Sequence, residues 1–167
     1  KTAIAFDSQL KYWGYCMAHN PWIILLVPFQ FIWGVMMGTR IISVKTCKKV
    51  AFWFANLINN EKNVVKFWDK YEKEIYDFFR PENRSGRKTV VVSASPSFLI
   101  EEIAKRMKVD YCIASTFGKR YTMIGEICRK GEKVVRLKKQ LPNIIVKDVY
   151  SDSVKSDKYI FNLGDRC

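Results

Sequence analysis

Six side chains in this sequence could act together on a phosphoryl group: Asp7, Ser93, Ser95, Lys133, Asp152 and Asp157. Phosphoryl transfer needs a carboxylate nucleophile, a hydroxyl and an ammonium on the phosphoryl oxygens, and further carboxylates for Mg²⁺. The lysine offsets charge that builds on the equatorial oxygens in the transition state. Asp7 closes the apolar stretch KTAIAFD. Ser93 and Ser95 follow TVVV, Lys133 stands in GEKVVRL, and Asp152 and Asp157 follow IIVKDVY. Each also has a plainer role. Asp7, Ser93 and Ser95 are good helix N-caps, Asp152 and Asp157 are good turn residues, and Lys133 is one lysine among many.

To converge, these residues need parallel strands whose carboxyl ends face one way, beside helix N-termini that offer N–H groups to anions. The pattern supplies candidates. Thr89–Val92 is β-branched and apolar without alternation, which predicts a strand buried on both faces. Ser93 to Pro96 break that run. Phe98, Leu99, Ile103 and Ala104 then recur at helical spacing, with Glu101 and Glu102 opposite. Lys1–Asp7 reads as a first strand, Val109–Ser115 as another, Thr116–Tyr121 as a turn and Thr122–Ile127 as a returning strand. Gly131–Gln140 reads as a helix with Val134, Val135 and Leu137 inward. Ile144–Tyr150 and Tyr159–Leu163 complete the strands. The expected fold is a three-layer α/β core with a mainly parallel sheet.

Between the first two strands the pattern is helical. Ser8–His19, about Trp22–Met37, Ser43–Leu57 and Glu61–Phe79 read as helices, with N-caps at Ser43 and Asn59-Asn60. Val50, Phe52, Trp53, Phe54 and Leu57 form one expected apolar group. Val64, Phe67, Trp68, Tyr71, Ile75, Phe78 and Phe79 form an aromatic stripe of the kind that lines a core. Arg80–Lys88, RPENRSGRK, is the clearest linker. Residues 1–7 and 81–167 are therefore expected as the α/β core, with 8–80 as an inserted helical cap. No Lys, Arg, Asp or Glu occurs between Lys11 and Arg40. Asn20-Pro21, Pro28 and Gln30 interrupt this stretch, so a buried cap helix is the favoured reading. A membrane-seated segment is the second, since Trp22 and Trp33 suit an interface and Arg40, Lys45, Lys48 and Lys49 follow at once.

Composition narrows the partners. A hydrophobic share of 49% excludes a disordered chain, and a net charge of +13 implies an anionic partner. Phosphate esters, acidic headgroups and nucleic acid all qualify, but no nucleic-acid recognition motif is present. Cysteines at 16, 47, 112, 128 and 167 form no CxxC or metal spacing. That predicts reduced thiols in a reducing compartment such as the cytoplasm. No signal-peptide pattern is visible. His19, the single histidine, reads as a helix-end residue. Multi-histidine metal sites are excluded, and so is a Ser-His-Asp triad unless His19 serves.

Taken together, the motifs resemble the haloacid dehalogenase (HAD) superfamily in its phosphoserine-phosphatase-like branch, subfamily IB. VVVSASP is similar to that family's second motif, with Ser93 as the phosphate-binding hydroxyl. GEKVVRL is similar to the third, with Lys133 as the phosphate-binding lysine. VYSDSVKSD is similar to the fourth, with Asp152 and Asp157 as the acidic pair for Mg²⁺ and Ser151 where glycine is frequent. The resemblance implies a Mg²⁺-dependent phosphomonoester hydrolase that works through an aspartyl-phosphate on Asp7. Its substrate would be a small phosphorylated molecule or a lipid phosphate at a membrane surface. The first motif departs from the family's Asp-x-Asp-Gly-Thr. Gln9 stands where the second Asp belongs and no Gly-Thr follows. In a second alignment DSQLKYWGYCMAHNP matches the start of the cap, and the whole motif is missing between Phe6 and Asp7. The chain is also short after Asp157, where the family continues with a helix before its last strand. Either residues of the first loop are omitted from this sequence, or the protein is a non-catalytic, phosphate-binding relative.

Overall fold

A computed structural model describes residues 2–84 and 86–166. Seven α-helices and four short strands follow in the order α1 (Ser8–His19), α2 (Val27–Gly38), α3 (Val44–Ala51), α4 (Asn60–Tyr71), β1 (Val90–Pro96), α5 (Ser97–Arg106), β2 (Tyr111–Ser115), α6 (Gly131–Gln140), β3 (Val146–Asp148), α7 (Val154–Phe161) and β4 (Gly164–Arg166). β1 pairs with β2 and β3 with β4, both in parallel, as two separate two-stranded sheets. Strands joined through helices with parallel pairing make this an α/β fold.

The aromatic stripe makes the main core. On α4, Val64, Phe67 and Trp68 point inward while Glu61, Lys62, Lys66 and Lys70 face solvent. Phe67 meets Tyr12, Tyr15 and Trp68 edge-on, with ring centroids 4.9–5.6 Å apart. Such pairs add to area burial because the ring edge carries positive charge and the face negative. The same cluster takes in Phe52, Phe54, Ile75, Leu99, Ile103 and Met107, so α1, α4 and α5 share one interior. Trp68 donates its indole N–H to the Leu99 carbonyl at 2.8 Å. Asn59 caps α4 through Lys62 N–H, and Ser43 receives Thr46 N–H at the start of α3, as their sequence positions predict. His19 ends α1, its ring stacked on Tyr15. A second, smaller core gathers Ile113, Cys128 and Leu137 beneath β1 and β2.

Several expected elements are corrected. Residues 2–7 form no strand; they make one antiparallel bridge, Ile4 to Ile75. Phe6 packs on Phe67 and Tyr71 instead, so side chains hold this segment where a ladder was expected. Lys1 lies outside the described residues. Among the described residues β1 pairs with β2 alone, and Val90–Val92 are half-buried where burial on both faces was expected. Trp22–Met37 is two pieces, a 3₁₀ helix Pro21–Leu26 and then α2. Pro28 lacks an N–H and opens the new helix. This segment is not a buried helix: Ile23 is its one buried residue, and no residue of α2 is buried. Leaving seven large apolar side chains here in water forgoes roughly 10 kcal/mol of burial.

Ser43–Leu57 likewise divides into α3 and a 3₁₀ turn, Trp53–Leu57. Phe52 and Phe54 are buried while Trp53 and Leu57 are exposed; the Val50 side chain lies outside what is described. α4 stops at Tyr71, and Ile75 reaches the core from the irregular chain beyond. Thr122–Ile127 makes a single bridge, Phe117 to Met123, and no strand. α6 has its expected bounds, with Leu137 buried but Val135 exposed. Tyr159–Phe161 belong to α7, so the last strand is β4 and not Tyr159–Leu163.

Candidate active site

The site begins with a break in the β1–β2 ladder. Register holds from Val90 opposite Tyr111 to Val92 opposite Ile113, and then Pro96 faces Ser115. Four steps along β1 answer two along β2, so Ser93–Ser95 bulge out of the ladder. Bulges re-aim side chains and recur beside active sites. The bulge is held at its centre. The Ala94 carbonyl accepts the Ser115 hydroxyl at 2.9 Å and the Lys48 ammonium at 2.8 Å. Ser93 Oγ accepts Ser95 N–H at 3.1 Å, and Ser95 Oγ lies 3.3 Å from Ser8 Oγ. Both serines therefore sit inside β1, not in a turn after it. Neither caps α5: Pro96 holds that position and makes no side-chain bond there.

Lys133 enters from the first turn of α6. The preceding Lys130 has a positive φ of 52°, a conformation that L-residues rarely adopt. The Lys133 ammonium lies 2.7 Å from Asp157 Oδ1, and both side chains are nearly buried. Asp157, on α7, also accepts the Ser151 hydroxyl on Oδ2 at 2.6 Å. This ion pair brings α6 and α7 together. It leaves an ammonium at the pocket wall with its charge already balanced.

Asp7 caps α1. Its Oδ1 accepts the N–H groups of Gln9 and Leu10 at 2.9 and 3.0 Å. That is the plainer of the two roles its sequence position suggested. Asp152 Oδ1 accepts the Thr2 hydroxyl at 3.1 Å, and Thr2 Oγ1 in turn accepts Asp152 N–H.

All six residues singled out from the sequence line one pocket of about 380 Å³. They come from both ends of the chain and from its middle. Sequence reasoning missed four others. Arg129 also lines the pocket. Lys48 comes from α3; burial, reinforced by Arg129 and opposed by Asp7, pulls its ammonium below the usual lysine range. Ser8 and Ser151 hold two of the site's oxygens. Nothing in the run KTCKK distinguishes Lys48 from its solvated neighbours, and Arg129 carries no signal beyond lying four residues before Lys133. An open hollow of about 820 Å³ adjoins the pocket, sharing Thr2 and Asp152. It is walled by Tyr76, Phe78, Val149, Tyr150 and Val154.

The donor set does not fit the expected Mg²⁺ ion. Asp7, Asp152 and Asp157 share the pocket, but their bonds run outward, to a helix cap, to Thr2, and to Lys133 with Ser151. Among the described residues no three Asp, Glu, His or Cys side chains converge as a cation requires. Thiol chemistry is no substitute: Cys16, Cys47, Cys112 and Cys128 are free, and burial raises the pKa of each. Thiols so raised stay protonated and unreactive. Cys167 lies outside the described residues.

A bulged strand end with two hydroxyls, a lysine at a helix start, and carboxylates on a loop and on α7 thus line one pocket of this α/β fold. A model of the haloacid dehalogenase-like hydrolase family matches residues 31–158. That is well over half of the chain, and the protein belongs to this family. The matched stretch contains Ser93, Lys133, Asp152 and Asp157 and begins after Asp7. No curated protein and no solved structure matches the chain.

Proposed function

We propose that this protein hydrolyses a phosphomonoester held between the Ser93 hydroxyl and the Lys133 ammonium. One observation carries the reading: these groups, from β1 and α6, line a single pocket with Asp7, Ser95, Asp152 and Asp157. In this reading an Asp7 carboxylate oxygen bonds to phosphorus as the ester P–O bond breaks. The leaving alkoxide takes a proton from water, because the Gln9 amide cannot supply one. A second water then releases inorganic phosphate and restores the carboxylate. The wider reading is of a phosphoserine-phosphatase-like enzyme of the cytoplasm, with residues 8–80 as the cap over a core of 1–7 and 81–167. The apolar hollow beside the pocket supports a lipid phosphate as substrate; a small soluble phosphomonoester is the rival.

A second reading has its own support. Asp7 is engaged as a helix cap and Gln9 replaces the acid–base aspartate, which suits a relative that binds phosphate without turnover. A phosphate-release screen over lipid and soluble phosphomonoesters, with and without Mg²⁺, separates the two. Turnover that Ser93→Ala lowers and Lys133→Met abolishes, with each variant shown folded at the assay temperature by circular dichroism, supports the hydrolase. No release from any ester, together with a phosphate-induced rise in melting temperature that Lys133→Met removes, leaves the binding relative.

A further inference from the structure

Pro21–Gly38 is apolar, uncharged and outward-facing. Leu25 and Phe31 are 78% and 70% exposed, and Ile24, Phe29, Ile32 and Val35 stand out beside them. A helix apolar on all sides is stable in a protein core or in lipid. α2 is not in the core.

The two flanks decide how lipid could hold it. Before it, α1 buries Tyr12, Tyr15 and Cys16. After it, Phe52 and Phe54 join the same core cluster, and Lys48 of α3 donates to the Ala94 carbonyl. The segment thus leaves one body and returns to it. In its middle Gln30, its one amide side chain, accepts the Trp13 indole N–H at 2.8 Å, which holds the start of α2 against α1. Pro21–Gly38 has 18 residues and is long and apolar enough to cross a membrane by length and composition, so the flanks and not the length decide the geometry. A chain whose two ends return to one folded body, and whose middle is tied to α1, lies in the membrane plane and does not cross.

Charge selects the occupant. The chain carries +13, and Arg40 stands exposed just after α2, whereas Lys45 beyond it is paired with Glu126. Two copies meeting at this face would bring like charges together, whereas an anionic bilayer attracts them. Trp22 and Trp33 suit the headgroup level.

We infer that Pro21–Gly38 seats the protein in the surface of an anionic bilayer as an in-plane arm. The inference stands apart from the hydrolase reading. Sedimentation of the full chain with vesicles tests it, comparing phosphatidylcholine alone with phosphatidylcholine plus phosphatidylserine. The wild type is expected to partition onto the anionic vesicles about tenfold more than onto the neutral ones, less so as salt is added. The double variant Leu25→Ser, Phe31→Ser is expected to lose partitioning about tenfold while its circular dichroism and melting temperature hold. Brominated lipids should quench Trp22 and Trp33, read against a Trp22→Phe, Trp33→Phe variant, more from shallow than from mid-bilayer positions. Equal partitioning of wild type and double variant overturns the seat, as does none by either. Deep quenching overturns the in-plane geometry. A dimer that the double variant dissolves gives the face to a second copy instead. Phosphate release on the same preparations is scored separately, so its loss with vesicle binding retained counts against the hydrolase reading alone.

Discussion

Helices α2 and α4 have the same length and both are rich in aromatic and aliphatic residues, yet they end in opposite surroundings. α4 buries Val64, Phe67 and Trp68, and α2 buries nothing. The difference lies on their other faces. α4 carries Glu61, Lys62, Lys66, Asp69 and Lys70, so only one orientation in the fold keeps charges wet and rings dry. α2 has no charged residue, so nothing in its sequence selects an inner face. Hydrophobicity says that a segment leaves water; amphipathicity says which side of it meets the protein.

The sharpest way to break this comparison is to truncate one ring in each helix. Phe67→Ala removes the centre of the aromatic cluster and is expected to cost about 3–5 kcal/mol in chemical denaturation. A loss below about 1 kcal/mol would mean that the cluster repacks. Next in size is the link between α4 and α5. Arg106, largely buried, contacts Asp69, Glu72 and Glu102 at 2.7–3.0 Å. Arg106→Met is expected to lose about 1–2 kcal/mol, and added salt should shrink that difference because Asp69 is exposed.

Titration separates the two regions again. Burial pushes the Cys16 thiol from its ordinary 9.0 up to about 11, and the neighbouring Tyr12 hydroxyl is raised as well, chiefly by burial. An acid whose pKa rises on folding keeps its proton longer in the folded chain. Its contribution is full below pH 9 and is lost as pH climbs toward 11. Urea midpoints should fall across that window, and Cys16→Ala should flatten the fall. The half-buried Lys48 runs the other way, since its lowered pKa makes its burial less costly as pH rises. The smallest effect belongs to α2, which holds no titratable group. Phe31→Ser is expected to shift stability in detergent-free buffer by no more than about 0.5 kcal/mol, with a pH curve parallel to the wild type. A loss comparable to that of Phe67→Ala would show that α2 is buried in solution.

Local chemistry was legible where periodicity and caps agree. α1 and α6 have the bounds their residues predict, Asn59 and Ser43 cap as expected, and the six residues singled out at strand and helix ends line one pocket. Failures share one cause. A short apolar run such as AIAF or YIFN does not say whether a ladder or a core receives it. Phe6 found rings and left the first segment without a strand, while Tyr159–Phe161 wound into α7. The bulge at Ser93–Ser95 depends on β2, and the sequence of β1 alone shows only a break.

By itself the sequence determined six candidate side chains for the pocket, the aromatic stripe of α4 and an uncharged arm between Lys11 and Arg40. These follow from side-chain type and spacing, which need no partner to be read. Only the tertiary structure decided that Asp157 balances Lys133, that Lys48 crosses to the Ala94 carbonyl, and that the arm folds back against Trp13 with its apolar surface outward. Each is a contact between residues far apart in the chain. Its free energy exists only after the intervening segments have closed.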